Sequence, residues 1–155
     1  MVAAAAAEPV ARVVREIMRA DVVTVDAEES LLEADRIMRL ARIRHLPVLR
    51  DSRLVGVISH RDLLEASIAK LDEATPGERL DHLRATRVEQ VLKGAPETVE
   101  ADCLLRDAAL RVLRLKIGCL PVVEASPEGP RLVGILTESD LLRVAYAPDF
   151  VGASD

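Results

Sequence analysis

Two tetrads pair a hydroxyl with a carboxylate three residues on: Ser59-His60-Arg61-Asp62 and Thr137-Glu138-Ser139-Asp140. Each follows a Leu-Val-Gly run and is expected to open a helix. Two chemistries fit. Ser or Thr followed three residues later by an acid is the capping-box pattern, in which the two side chains satisfy free N–H groups at a helix start. The same pair can also grip a ribonucleotide. A helix N-terminus offers N–H groups and a positive dipole end to a phosphate. A hydroxyl can donate to phosphate or ribose, and an ionised carboxylate can accept from both hydroxyls of a ribose diol. Gly56 and Gly134, with no Cβ, would admit another backbone or a ligand. The Gly-x-x-x-x-Gly-Lys pattern of a P-loop is absent. The pair recurs at the same place after the same glycine, which favours a site.

The tetrads recur because the chain repeats itself. At a shift of 74 residues Val14, Thr24, Val25, Ala27, Leu31 and Ala34 fall on Val88, Thr98, Val99, Ala101, Leu105 and Ala108. The match runs on through Ile43/Ile117, Leu46/Leu120, Pro47/Pro121 and Val48/Val122. The loop 124–130 is longer than its counterpart 50–52, so the shift becomes 78. In that frame Arg53-Leu54-Val55-Gly56 meets Arg131-Leu132-Val133-Gly134, and Asp62-Leu63-Leu64 meets Asp140-Leu141-Leu142. A unit of this size would be marginal alone.

Both copies predict strand, helix, strand, strand, helix. In the first, the β-branched run Val22–Val25 is a strand, and Leu31, Ala34, Ile37, Met38 and Ala41 lie at helical spacing. Leu46–Leu49 is a second strand, whose Pro47 suggests its first residues or an edge. A turn at Arg50–Arg53 joins it to a third strand, Leu54–Ile58, and Ser59 then opens a helix through Leu63, Leu64 and Ile68. Arg111 stands opposite Ile37, so the first helix of the second copy is expected to be shifted or partly exposed. Each copy is preceded by an amphipathic stretch, Val10–Met18 and Glu78–Leu92, expected to be a lead-in helix that packs on the other copy. Thr75-Pro76-Gly77 reads as a break. The organisation expected is a tail at 1–9, a first repeat at 10–72, a linker at 73–85, a second repeat at 86–146 and a tail at 147–155.

Composition narrows the function. Of 155 residues 50% are hydrophobic but 1% aromatic, so a base-stacking platform for single strands is lacking. A net charge of −5 argues against duplex binding through phosphate neutralisation. No run has the apolar length of a membrane span, and the short Met1–Ala7 stretch lacks the basic start of a signal sequence. Cys103 and Cys119 are too few for a disulfide scaffold, which points to a reducing, cytoplasmic compartment. His45, His60 and His82 lack ligand spacing, so no metal site is expected. Cys119 has no evident base and reads as an inert thiol. No catalytic constellation is present, so the expectation is a binding protein and not an enzyme.

The repeated unit resembles the CBS domain, the motif named after cystathionine β-synthase. The resemblance rests on Val23-Thr24-Val25 and Val99-Glu100, on His45-Leu46-Pro47-Val48 and Cys119-Leu120-Pro121-Val122, and on Leu54–Asp62 and Leu132–Asp140. It spans about residues 10–146 and implies an α/β (α+β) fold. Two β-α-β-β-α repeats with small mixed sheets would pair about a pseudo-two-fold axis as a Bateman module. It implies two clefts for adenosine-containing ligands: AMP, ADP, ATP or S-adenosylmethionine. One cleft would combine Ser59 and Asp62 with Glu97, Thr98, Ile117, Gly118 and Cys119. The other would combine Thr137 and Asp140 with Val23, Thr24, Ile43, Arg44 and His45. Asp62 and Asp140 would hold ribose, Ser59 and Thr137 would face phosphate or ribose, and aliphatic groups and main chain would hold adenine. The ligand is regulatory, no further cofactor is required, and the output would pass to another protein chain. Homodimers, in which two modules make a flat disc, would be seamed by exposed apolar residues on the helices after each tetrad. A constitutive assembly module with unoccupied clefts is the alternative. Because His60 and Arg61 stand where the second copy has Glu138 and Ser139, the Ser59/Asp62 cleft is expected to prefer phosphorylated ligands, unless those two side chains merely face solvent.

Overall fold

The computed structural model describes residues 12–68 and 74–147. The tail expected at 1–9, the tail at 147–155 beyond Ala147, Val10 and the joint at 69–73 lie outside the described residues. The first repeat contains β1 (Val25–Asp26), α1 (Leu31–Leu40), β2 (His45–Arg50), β3 (Arg53–Ser59) and α2 (His60–Ile68). After α3 (Pro76–Ala85), the second contains β4 (Val99–Glu100), α4 (Leu105–Leu115), β5 (Cys119–Glu124), β6 (Arg131–Thr137) and α5 (Glu138–Tyr146). Each repeat forms a three-stranded mixed sheet, ordered β1-β2-β3 and β4-β5-β6. In each, the first pair is parallel and the second antiparallel. The expected fold class is therefore the observed one.

Local chemistry explains the elements. Ser30 caps α1 by accepting the N–H of Glu33 at 3.2 Å. Arg42 and Lys116, at φ 52° and 54°, make the left-handed turns that stop α1 and α4 before the next strand. Asp51 and Ser52, at φ 50° and 64°, form the tight two-residue turn between β2 and β3. Pro47 lies within the central strand β2 and not at the sheet edge. It is tolerated because β1 begins alongside Val48, one residue on. The strand expected at Val22–Val25 is paired only over Val25–Asp26. Arg111 leaves α4 in its expected place, partly exposed and paired with Glu97 at 3.0 Å.

The lead-in segments differ from expectation. Among the described residues neither is a continuous helix: the first makes one 3-10 turn at Val14–Glu16, and the second is helical along α3 as far as Ala85 and then makes a 3-10 turn at Val88–Val91. The first two N–H groups of each turn go to the other repeat, while those of Glu16, Ile17, Met18 and Gln90 close the turns themselves. Val14 and Arg15 donate to the carbonyls of Cys103 and Ala101 at 2.9 and 2.8 Å. Val88 and Glu89 donate to those of Glu29 and Ala27 at 2.8 and 3.0 Å. The return bonds also match: Leu105 N–H to Arg12, and Leu31 N–H to Thr86. The stretch expected as a linker at 73–85 holds α3. Thr75-Pro76-Gly77 starts that helix, with Thr75 and Glu78 forming its capping box. Helix α3 buries none of its residues fully and rests on α1, with Leu83 turned to the core.

The packing is consequently exchanged. Val14 belongs to the core of the second repeat, with Val99, Ala101, Ala108, Leu120 and Leu136. Val88 belongs to the core of the first, with Val25, Leu31, Met38, Leu46 and Ile58. The two glycines expected to admit a backbone or ligand admit these lead-ins. A Cβ on Gly56 would lie 2.8 Å from Leu92, and one on Gly134 would lie 2.5 Å from the Met18 sulfur.

Exchanged cores should unfold together. Val14→Ala and Val88→Ala each remove two buried methyl groups and are expected to cost about 2 kcal/mol. Each should lower the midpoint of one shared urea transition followed by circular dichroism. Two separable transitions would contradict the interlocked core.

Candidate functional site

Both tetrads are capping boxes. Asp62 Oδ2 accepts from the Ser59 N–H at 2.8 Å and the Ser59 hydroxyl at 2.5 Å, and Ser59 Oγ accepts from the Asp62 N–H at 3.2 Å. Thr137 and Asp140 repeat the pattern at 3.0, 2.6 and 3.3 Å. The next N–H in each helix is also used, His60 by the Arg44 carbonyl and Glu138 by that of Gly118. The capping reading and the site reading therefore have to share the same side chains. Only the second carboxylate oxygen of each Asp lies outside the box.

Two clefts open between the repeats. The larger, about 770 Å³, brings Ser59, His60, Arg61 and Asp62 of the first repeat against Glu97, Ile117, Gly118 and Cys119 of the second. Thr98 is half-buried and does not line it. Arg44, His45, Lys93, Lys116 and the Gly94–Pro96 main chain complete its wall. The smaller, about 610 Å³, brings Thr137 against Val23, Ile43, Arg44 and His45, with Arg19, Asp21, Glu138 and Ser139. Thr24 and Asp140 do not line it. The clefts share Arg44, His45 and Gly118, and the His45 ring lies where a Gly118 side chain would be.

Each tetrad carboxylate meets a cation carried by the exchanged lead-in. Lys93 Nζ donates to Asp62 Oδ1 at 2.8 Å and to Glu65 at 2.7 Å. Arg19 Nε donates to Asp140 Oδ1 at 3.3 Å, and Arg143 adds a bond to the same oxygen at 2.6 Å. Lys93, Arg19 and Arg143 were not among the residues picked out from sequence. A signal did exist, since Arg19 and Lys93 correspond at the shift of 74. Arg61 is exposed on the cleft rim and pairs with Glu65 at 3.3 Å.

Burial works to raise the Asp62 carboxyl, but hydrogen bonds from Lys93 and Ser59 outweigh it and hold the group below its ordinary value. Lys93 is in turn raised by its bonds to Asp62 and Glu65. Burial pushes His45 down against the pull of Glu138 and Asp62, which favours the neutral ring. Burial pushes the Cys119 thiol up to about 12, so a nucleophilic thiolate is not formed near neutral pH. Among the described residues no group of three metal-ligating side chains is assembled. Among them, too, no helix is long and apolar enough to cross a membrane. The larger cleft can thus offer one carboxylate oxygen, an ammonium shared between two carboxylates and a rim of positive charge. Four Lys or Arg side chains line it with two carboxylates, which suits a hydroxylated anion.

A family profile for the CBS domain matches residues 14–69 and 88–147. Over 130 residues the chain is 31% identical to a CBS domain-containing protein of Dictyostelium discoideum, covering 83% of this chain and 88% of that protein. It is 33% identical over 121 residues to inosine-5'-monophosphate dehydrogenase of Korarchaeum cryptofilum, covering 78% of this chain but 22% of the dehydrogenase. Among solved structures, CBSX2 in complex with AMP is 29% identical, with a TM-score of 0.70 over 89% of this chain and 98% of that one. A CBS domain pair bound to 5'-methylthioadenosine and S-adenosyl-L-methionine shares the fold at 24% identity, with a TM-score of 0.71 over 86% and 95% of the two chains.

The Lys93–Asp62 contact has a pH signature. A carboxyl held below its unfolded value contributes stability above about pH 4, lost as pH falls through the folded value. The raised Lys93 contributes below about pH 10, and that part is lost as pH rises through its folded value. Lys93→Met should therefore melt below wild type by a constant margin from pH 5 to pH 8, and the margin should shrink below about pH 4. A margin unchanged at pH 3 would rule out the ion pair as its source.

Proposed function

The chain belongs to the CBS-domain family, and from that premise we propose that it is a regulatory, cytoplasmic ligand-sensing module. It binds an adenosine-containing ligand, AMP, ADP, ATP or S-adenosylmethionine, between its repeats and modulates another protein without catalysing a reaction itself. The observation that carries this reading is the 770 Å³ cleft, which sets Ser59 and Asp62 of one repeat opposite Glu97, Ile117, Gly118 and Cys119 of the other. Asp62 Oδ1 accepts one ribose hydroxyl or both, and Lys93, Arg61 and Lys116 supply positive charge for phosphate. The adenine lies against aliphatic groups and main chain, since the sequence has one Tyr, one Phe and no Trp. A ligand touching both repeats favours the relative orientation that it fits best, and that orientation is the output. CBSX2, which carries AMP, is the relative that supports this choice of ligand.

A second reading, assembly through apolar helix faces, has an observation of its own. Leu64 and Ile68 on α2, and Leu142 and Tyr146 on α5, are exposed, and an apolar groove of about 920 Å³ runs between α4 and α5. The patch occurs in both repeats, so a second copy of the chain can bury both against its own. Such a homodimer is compatible with ligand sensing.

At 100 times its dissociation constant, a ligand adds about 2.7 kcal/mol, or roughly 5–10 °C in melting temperature for a chain of this size. AMP or another adenosine compound should give such a shift, and guanine nucleotides should not. Asp62→Ala should weaken binding by about tenfold or more, the value of a hydrogen bond to a charged group. No shift with any adenosine compound would favour the assembly reading. Sedimentation should then give twice the chain mass, and Leu64→Glu with Leu142→Glu should return it to one.

A further inference from the structure

We propose that Arg143 and Arg19 lock Asp140 and so restrict nucleotide binding to the Asp62 cleft, one nucleotide per chain; this rests on reading that cleft as the nucleotide site. The repeat makes the comparison internal. Asp62 corresponds to Asp140, Lys93 to Arg19 and Glu65 to Arg143, so the charge at the third position is reversed.

In the first repeat a single ammonium stands on Asp62 Oδ1 and is shared with Glu65. The Asp62 side chain is 19% exposed and lies on the cleft wall. A ribose diol that takes Oδ1 leaves Lys93 with Glu65 as partner, so no charge is stranded. Lys93 remains on the wall, within the cleft that receives the phosphate.

In the second repeat the same exchange has no such outlet. Asp140 is 0% exposed and off the cleft wall, although Thr137, Glu138 and Ser139 all line it. Its Oδ2 is filled by Thr137, and its Oδ1 by Arg143 and Arg19. A diol would have to displace both guanidinium groups. The residue at 143 is itself one of those cations, so the second repeat has no counterpart of Glu65 to receive them. Removing the partners of a buried charge is strongly unfavourable. Asp140 thus serves as a tie between lead-in and repeat, and the smaller cleft lacks a carboxylate for ribose.

Calorimetric titration of the full chain with AMP, paired with thermal melts without ligand, tests this. Wild type should bind one AMP per chain. Arg143→Glu combined with Arg19→Lys remakes the second site in the image of the first and should raise the stoichiometry to two. Arg143→Ala combined with Arg19→Ala, which removes both cations, should also open the second site. Without ligand, Arg143→Ala should lower the melting temperature by about 3 °C or more, and Glu65→Ala by less than about 1 °C. Two AMP in wild type, or one in a natively folded Arg143→Glu/Arg19→Lys chain, would overturn the lock, as would equal melting shifts in Arg143→Ala and Glu65→Ala. If wild type binds no AMP, the nucleotide reading fails at this ligand, and the ligand-free melts still decide the lock.

Discussion

The exchange of lead-in segments is the constraint on which everything else rests. A repeat of this size is marginal alone. Here each core is completed by a valine from the other repeat's lead-in, Val14 in one direction and Val88 in the other. Four backbone bonds from Val14, Arg15, Val88 and Glu89 fix the exchange at matching positions. Gly56 and Gly134 belong to the same device. Their missing side chains make room for Leu92 and Met18, so the glycines before each tetrad serve the fold and not a ligand.

The exchange also builds the site. Because the lead-ins cross over, the residues at the end of each one, Arg19 and Lys93, arrive at the tetrad carboxylate of the opposite repeat. The ion pairs therefore tie the two repeats at the place where the clefts open. Small differences between the copies then have large local effects. An arginine at 143 opposite a glutamate at 65 separates a sealed carboxylate from one that is held by a single shared lysine. His45 and Gly118 form a wall common to both clefts, which makes the pair a single structural unit.

Much of the site was legible because the chain is written twice. Either tetrad alone is a common helix cap; two of them after the same glycine, in one order, mark a place in a fold. Ser59, Asp62, Ile117, Gly118 and Cys119 gather in one cleft, and Thr137, Ile43, Arg44 and His45 in the other. Thr24 and Thr98 do not line the clefts, although their neighbours Val23 and Glu97 do. The apolar spacing of the lead-ins is helical, yet the α-helix holds only as far as Ala85 in the second, and the segments that cross over make single 3-10 turns. Val14 and Val88 are indeed buried, but their N–H groups, with those of Arg15 and Glu89, serve the other repeat, and periodicity carries no information about that.

The repeat, the five elements in each copy, the aliphatic core and the tetrads at helix starts all follow from the sequence, because they depend on local spacing, capping chemistry and internal comparison. Charge pairing across the exchange does not. Whether Asp62 or Asp140 keeps an oxygen for a ligand depends on where Lys93, Arg19 and Arg143 come to rest, and those positions are set by long-range packing. Burial separates them physically: one carboxylate lies on a cleft wall beneath a single shared ammonium, and the other is enclosed by two guanidinium groups.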